Sequence, residues 1–168
     1  QSQIRLGQLA IGRKDRRYFT TKMINGYFGR GFASRLNKTI RVQKGLTYGI
    51  WGGYSASHFA GSVSISTFSK TASTAEAVRA VREEIKRLKK EGPSDDELEK
   101  VRSSILGGFA GKRETPQALA GDLWLIEAED LSTDHFEKML SHVAASKAND
   151  CLKLVHQTVN PSKMVVVV

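Results

Sequence analysis

The sequence predicts an α+β domain, a largely antiparallel sheet with helices packed on one face. Three observations carry that expectation. β-Branched, aromatic and glycine residues concentrate in one central stretch, 46–69, and near the two ends of the chain. Helical periodicity fills two blocks, one before that stretch and one after it. Nowhere do strand and helix signals alternate as βαβα, the pattern a doubly wound parallel sheet requires. At 168 residues the chain has room for one core, since a domain of that length buries roughly 70% of its unfolded-chain surface. No low-complexity linker or solenoid repeat divides it, so residues 1–168 read as a single domain.

The elements follow in order. Ile4 and Leu6, then Leu9 and Ile11, are apolar on opposite parity with Gly7 between them, which predicts a first strand bent or bulged at the glycine. From Asp15 to Phe28, Tyr18, Phe19, Met23, Ile24, Tyr27 and Phe28 recur at helical steps, and Gly29 and Gly31 end the run. A second short helix over about 32–42 places Phe32, Leu36 and Ile40 on one side and spreads Arg35, Lys38 and Arg41 around the rest. Gly45 stops it. Two strands, 46–57 and 59–69, turn near His58, with Val63, Ile65 and Thr67 alternating against serines.

Ser73 with Glu76, and Ser94 with Glu97 just after Pro93, each spell a capping box and open two helices. Three more helices follow, 116–129 with Leu119, Leu123, Leu125 and Ile126 as its apolar set, 134–145, and 147–157. Residues 164–168 close as a buried strand.

Composition excludes several classes. With 40% hydrophobic residues, 15 Gly and 3 Pro the chain is neither disordered nor fibrous. No segment approaches the ~20 apolar residues of a membrane span. The single Cys151 excludes an internal disulfide framework and a multi-cysteine zinc site, and leaves the compartment open between bacterial periplasm and cytoplasm. The chain opens on Gln1 and closes inside a valine run, as a piece of a longer polypeptide would. Net charge is +9, carried by the first fifty residues, where 11 Lys and Arg face the single acid Asp15. Such a cluster concentrates acidic partners. Nucleic acid is not among those expected, because the aromatic residues of this segment fall at core-facing helical spacing rather than interleaving with the charges.

Ordinary catalytic chemistry is missing from the text of the chain. His58, His135, His142 and His156 belong to no H-E-x-x-H or H-x-x-E-H motif and read as structural. Cys151 has no partnered histidine. GYFGRG at 26–31 follows a helix rather than a strand and is not a phosphate loop. Glu83, Glu84, Glu91, Asp95 and Asp96 interleave with lysines as a solvated helix face would. What remains is Arg41 and Tyr48, either side of Gly45. A guanidinium and a phenol are both donors to a carbonyl oxygen or oxyanion. On residue chemistry alone, a solvated cation and a packed aromatic is the plainer reading.

The stretch GYFGRGFASRLNKTIRVQKGLTYGI, with its glycine-rich turn, Ser-Arg-Leu helix start and Arg followed seven residues later by Tyr, resembles the C-terminal, zinc-free half of the pitrilysin (insulinase) family of zinc peptidases, the inverzincins. STAEAVRAVREEIKRLKKEGPSDDELEKVRSSILGGF and NPSKMVVVV are similar to that family's following segments, so the resemblance runs the length of the chain. Arg30 departs from the family's more glycine-rich turn.

The resemblance implies a processing-peptidase-like half-domain. In that family one half carries H-x-x-E-H, the zinc and the general base; the other binds substrate and contributes an Arg and a Tyr, here Arg41 and Tyr48. No cofactor is then expected in this segment and zinc is expected in the partner half, in the same chain or another subunit. This segment alone should be inactive. A peptide or protein is the implied substrate, with the basic first third lining a closed chamber, and a homo-oligomer is compatible. A non-proteolytic structural or assembly subunit of the same family is the alternative.

Overall fold

Val63, Ile65 and Thr67 do alternate with serines along β3 (Gly61–Ser69), and that alternation builds the sheet. In the computed structural model, which describes all 168 residues, Gln1–Val168, β3 lies between β2 (Ile50–Ala56) and β1 (Ser2–Ala10), and β4 (Val165–Val167) pairs with the far side of β1. All three pairings are antiparallel. Ile4, Leu6, Val63 and Ile65 point inward and are buried. The expected bulge at Gly7 does not form: the β1–β3 register passes through Leu6↔Ile65, Gly7↔Ser64 and Gln8↔Val63 without a slip. The parity conflict is resolved by leaving Leu9 on the outer face, 80% exposed.

Helices cover the inner face only. α1 (Tyr18–Phe28) packs on β2, and α2 (Thr74–Lys90) on β3 and β1. α3 (Asp95–Gly111), α5 (His135–Ala145) and α6 (Ala148–Thr158) pack around α1, so that Ile24, Phe28, Val81, Ile85, Val143 and Leu154 share one core with the sheet. Burial of such side chains stabilises by about 1.5–3 kcal/mol each. The α+β class, the antiparallel sheet and the one-sided helix layer are thus as the sequence predicts.

The free edge of β2 is sealed from within. Asn37 Nδ2 donates to Ile50 O (3.1 Å), Gly52 N–H donates to Gly29 O (3.2 Å), and Asn25 pairs with both Tyr54 N (2.6 Å) and Tyr54 O (2.8 Å). An unprotected edge would template pairing with another strand. A Cβ at Gly29 would fall onto the Gly52 carbonyl, so this crossing of α1 and β2 requires glycine.

Four local expectations are corrected. The helix expected over 32–42 begins at Arg35 and winds as a π-helix over Asn37–Gln43; Phe32 precedes it and is exposed. Ser73 does not cap α2, because it ends a 3₁₀ turn with ψ of 5° and not the extended ψ of a capping residue. Ser94, with ψ of 163°, does form its box with Glu97. In α4 (Pro116–Ala128) no residue is buried, so its apolar set faces outward or is only half covered. β4 likewise leaves Val165 and Val167 exposed; only Met164 before it is buried.

Glu84 is also not on a solvated face. It is 6% exposed on the buried side of α2, with Arg87 Nη1 at 3.9 Å from Oε1 and no hydrogen-bond partner for Oε2. Burial raises its pKa, opposed by Arg87 and the Thr39 hydroxyl. The folded state therefore holds the proton more tightly than the unfolded chain does. The stability this gives is fully present below the ordinary carboxylate pKa and is lost as pH rises through the raised value. Glu84→Gln is expected to stabilise the protein at pH 7.5 by on the order of 1 kcal/mol, a gain that shrinks toward pH 4. Thermal unfolding of both proteins at the two pH values measures it; an equal gain at both would show that ionisation is not the cause.

Candidate functional site

The site residues hang from a buried anchor. Arg35, at the start of the π-helical segment, reaches the α2–α3 junction: Nε donates to Glu97 Oε1 (2.8 Å), Nη2 to Glu97 Oε2 (2.7 Å) and to Gly92 O (2.7 Å), and Nη1 to Glu91 O (3.1 Å). Its guanidinium also lies 5.1 Å from the Tyr27 ring centroid. Burial alone would raise the Glu97 carboxyl's pKa, but the Arg35 fork and the Ser94 N–H hold it below its ordinary value. Leu36 and Ile40 insert into the core on the same segment. The π-helical winding closes with Lys44 N–H on Thr39 O (3.0 Å), and such widened turns recur at functional positions.

Arg41 emerges from this segment half-buried, its guanidinium 4.6 Å above the Phe32 ring. Gly45 then turns the chain with φ of +60°, a left-handed conformation that favours glycine. Tyr48 was expected as the third residue of a strand. It lies instead in the loop before β2, and 83% of its surface is exposed. Both neighbours are fixed. Thr47 is buried, and its Oγ1 donates to Gly49 O (2.9 Å) and accepts from Gly49 N–H (3.1 Å); Thr67 of β3 donates to the same carbonyl (2.9 Å). A Cβ at Gly49 would meet the Trp51 ring at 2.7 Å, so the indole lies over the backbone next to Tyr48.

The structure thus presents Arg41 and Tyr48 on one turn-linked segment, neither walled into the interior, with no hydrogen bond tying guanidinium to phenol. Two neighbours escaped the sequence reading. Phe32, assigned to a core-facing helix, carries Arg41. Trp51, between glycines in a strand, belongs with Arg30, Gly53, Ser64 and Ser66 to a shallow depression of about 380 Å³ on the bare face of the sheet. The β-sheet register sets Trp51 beside Ser66 and Ser66 beside Arg5, so period-2 counting could have placed it there.

Part of the basic excess is neutralised inside the domain. Arg13 meets Glu129, Lys14 meets Asp130, Arg17 meets Asp15 and Arg35 meets Glu97. Two of the histidines and the cysteine have structural surroundings. His135 is buried against Tyr18 and Phe19, and its pKa is lowered by burial and by Arg13 and Lys22. His142 Nε2 sits 2.9 Å from Thr20 Oγ1. Burial pushes the Cys151 thiol up to about 12, which leaves it a thiol at neutral pH. Nowhere do three His, Cys, Asp or Glu side chains gather closely enough to hold a metal ion. No helix is long and apolar enough to cross a membrane.

Residues 1–105, which include β1 to β3, the π-helical segment and both site residues, match the family model described as the peptidase M16 inactive domain. The chain belongs to this family. Its sequence is 24% identical over 153 residues to an uncharacterized zinc protease of Streptomyces coelicolor, an alignment covering 89% of this chain and 33% of that protein. Its fold is similar to the crystal structure of a peptidase M16 inactive domain from Pseudomonas fluorescens, with a TM-score of 0.90 at 22% identity over 98% of this chain and 39% of that one. A protease from Helicobacter pylori has a TM-score of 0.85 at 14% identity, over 98% of this chain and 40% of that one. The chain therefore spans about a third of the curated relative and about two fifths of these solved chains. The resemblance drawn from the glycine-rich turn and the Arg-to-Tyr spacing is borne out at the level of family and fold. Zinc is named for the Streptomyces protein, but the donor sets of this M16 inactive domain do not fit a zinc ion.

Proposed function

We propose that this M16 inactive domain is the substrate-binding half of a metalloendopeptidase, and that Arg41 and Tyr48 donate to the carbonyl of a bound peptide while a zinc-bearing H-x-x-E-H half, in the same chain or a partner, hydrolyses it. The observation that carries the reading is Tyr48: an exposed phenol on a backbone held between two immobilised neighbours, buried Thr47 and the triply bonded Gly49. A backbone fixed on both sides of a donor before substrate arrives leaves only the side chain to be ordered during reaction, and less ordering makes such a group more effective toward developing negative charge. Arg41 adds a planar, permanently charged donor on the same segment. Neither group is engaged in an internal ion pair, unlike Arg35 six residues earlier.

The test supplies the H-x-x-E-H half together with this domain and measures peptide turnover. Tyr48→Phe removes one hydroxyl from a site 83% exposed, so folding should be untouched while kcat falls about 10²-fold. Turnover equal to that of the unaltered protein would remove Tyr48 from the mechanism.

A further inference from the structure

Between Asp15 and Glu76 the chain contains no acid, and that stretch supplies every residue lining the depression on the bare face of the sheet. β1 and β4, which complete the face, contain none either. Arg30 is the one charged residue in the lining. Its backbone is fixed where α1 gives way to the glycine-rich turn: Arg30 N–H donates to Asn25 O (2.8 Å), and Gly52 N–H of β2 donates to the neighbouring Gly29 O (3.2 Å). Its guanidinium meets no carboxylate, carbonyl or ring of the domain and is exposed at the rim.

The floor offers hydroxyls. Ser64 and Ser66 of β3 and Ser55 of the adjacent β2 line it, and none of the three hydroxyls is hydrogen-bonded within the domain. Trp51 forms the wall on the side of Tyr48, because its ring lies over Gly49. Beyond Ser66 the register brings Arg5, exposed on the same face and also without an ion pair. At about 380 Å³ the depression is at the small end for ligand sites, which suits one side chain of a longer molecule.

We propose that this depression receives an acidic side chain, Asp or Glu, of the peptide whose carbonyl Arg41 and Tyr48 hold, and that Arg30 sets the preference, an assignment that rests on the peptide-binding reading above and adds the chemistry of the substrate to it. A carboxylate only accepts hydrogen bonds, and a guanidinium fork beside free hydroxyls supplies donors to both of its oxygens. Its methylene stem would lie on Trp51. A lysine or arginine side chain would meet Arg30 and Arg5 as like charges. An aromatic side chain could stack on Trp51, but it would strip water from the serine hydroxyls without giving them a partner. Because the indole covers the backbone next to Tyr48, the acidic residue lies close in sequence to the carbonyl that is held.

The test titrates acetylated decapeptides of alanine, glycine and serine, each with one central Glu, Gln, Lys or Phe, into the full chain carrying Trp124→Phe. Trp124 is exposed on α4, and its removal leaves Trp51 as the only tryptophan, so emission reports the depression. The Glu peptide is expected to bind about fivefold more tightly than the Gln peptide, the scale of one solvent-accessible charge-assisted contact, and the Lys peptide most weakly. Arg30→Ala should bring the Glu and Gln peptides within about twofold of each other with the Gln affinity unchanged, and Arg30→Glu should favour the Lys peptide. Circular dichroism confirms that both variants stay folded. Equal binding of the Glu and Gln peptides, tightest binding of the Phe peptide, a Glu preference that survives Arg30→Ala, or no Trp51 response to any peptide overturns the proposal. Emission is read without turnover, which separates the two readings. Lost turnover in Tyr48→Phe with no Glu preference would keep the donor pair and overturn the acidic subsite; a Glu preference beside undiminished turnover in Tyr48→Phe would keep the subsite and remove Tyr48 from the mechanism.

Discussion

Arg35→Ala is expected to destabilise the domain by about 3–5 kcal/mol, the loss typical when one partner of a buried ion pair is removed. For a chain of this length that lowers Tm by on the order of 10 °C. The side chain donates to Glu97 twice and to the carbonyls of Glu91 and Gly92, and is 6% exposed. Alanine leaves a carboxylate and two backbone oxygens facing the vacated space. It also unties the π-helical segment that carries Arg41 from the start of α3. The pH dependence gives an independent signature. With Arg35 present, the Glu97 pKa is held below its ordinary value against the opposing effect of burial. The stability this contributes is present above the unfolded carboxylate pKa and disappears as pH falls through the lowered one. Without Arg35 only the Ser94 contact and the nearby Lys38 charge oppose burial, so acid unfolding should begin from a lower plateau and show a weaker Glu97-dependent decline. Denaturant titration at pH 7 and pH 4 measures both effects. A loss under about 1 kcal/mol at pH 7 would place Arg35 with surface ion pairs.

That pair shows where sequence reasoning ends. Glu97 was legible as the third helical residue of a capping box because its partner Ser94 is three positions away and the geometry is local. Its second partner is 62 residues distant, and nothing in the run Ser34-Arg35-Leu36 distinguishes an arginine that reaches inward from one that solvates. The alternation of β3 was legible for the same local reason as the box, since period 2 dictates which side chains share a face. The helical period of α4 was legible as well, yet its apolar residues are not buried: Leu123 is 68% and Trp124 70% exposed. Periodicity tells which residues would face a neighbour, not whether one is there. The π-helical turn escaped because Phe32, Leu36 and Ile40 fit an α-helical stripe on spacing alone, and the widened hydrogen bonding changes no residue type. Arg41 and Tyr48 were left by elimination as possible donors, and only the family's spacing favoured them over a solvated cation and a packed aromatic. The loop that exposes Tyr48 depends on Thr67, contributed by another strand, which the spacing does not encode.

On the function proposed above, with an H-x-x-E-H half supplied, Arg41→Ala is expected to lower kcat about 10²–10³-fold, the range for removing one preorganised donor to an oxyanion. Three further readouts separate that role from a structural or purely attractive one. The fold should hold, because Arg41 stacks on Phe32, itself 67% exposed, instead of joining the core. Arg41→Lys keeps the charge and loses the planar fork, so a residue acting by simple attraction would be rescued, whereas one that positions two donors on a carbonyl would not. Phe32→Leu removes the ring beneath the guanidinium, a contact worth about 0.5–1 kcal/mol at an exposed site, and should cost less than about tenfold while leaving the charge in place. A loss confined to kcat marks contacts made only as the peptide carbonyl acquires charge; a loss confined to KM marks contacts made equally with bound substrate and transition state. Full rescue by lysine, with KM alone altered in the alanine variant, would reduce Arg41 to an electrostatic attractor for acidic peptides and leave Tyr48 as the sole donor of the proposed site.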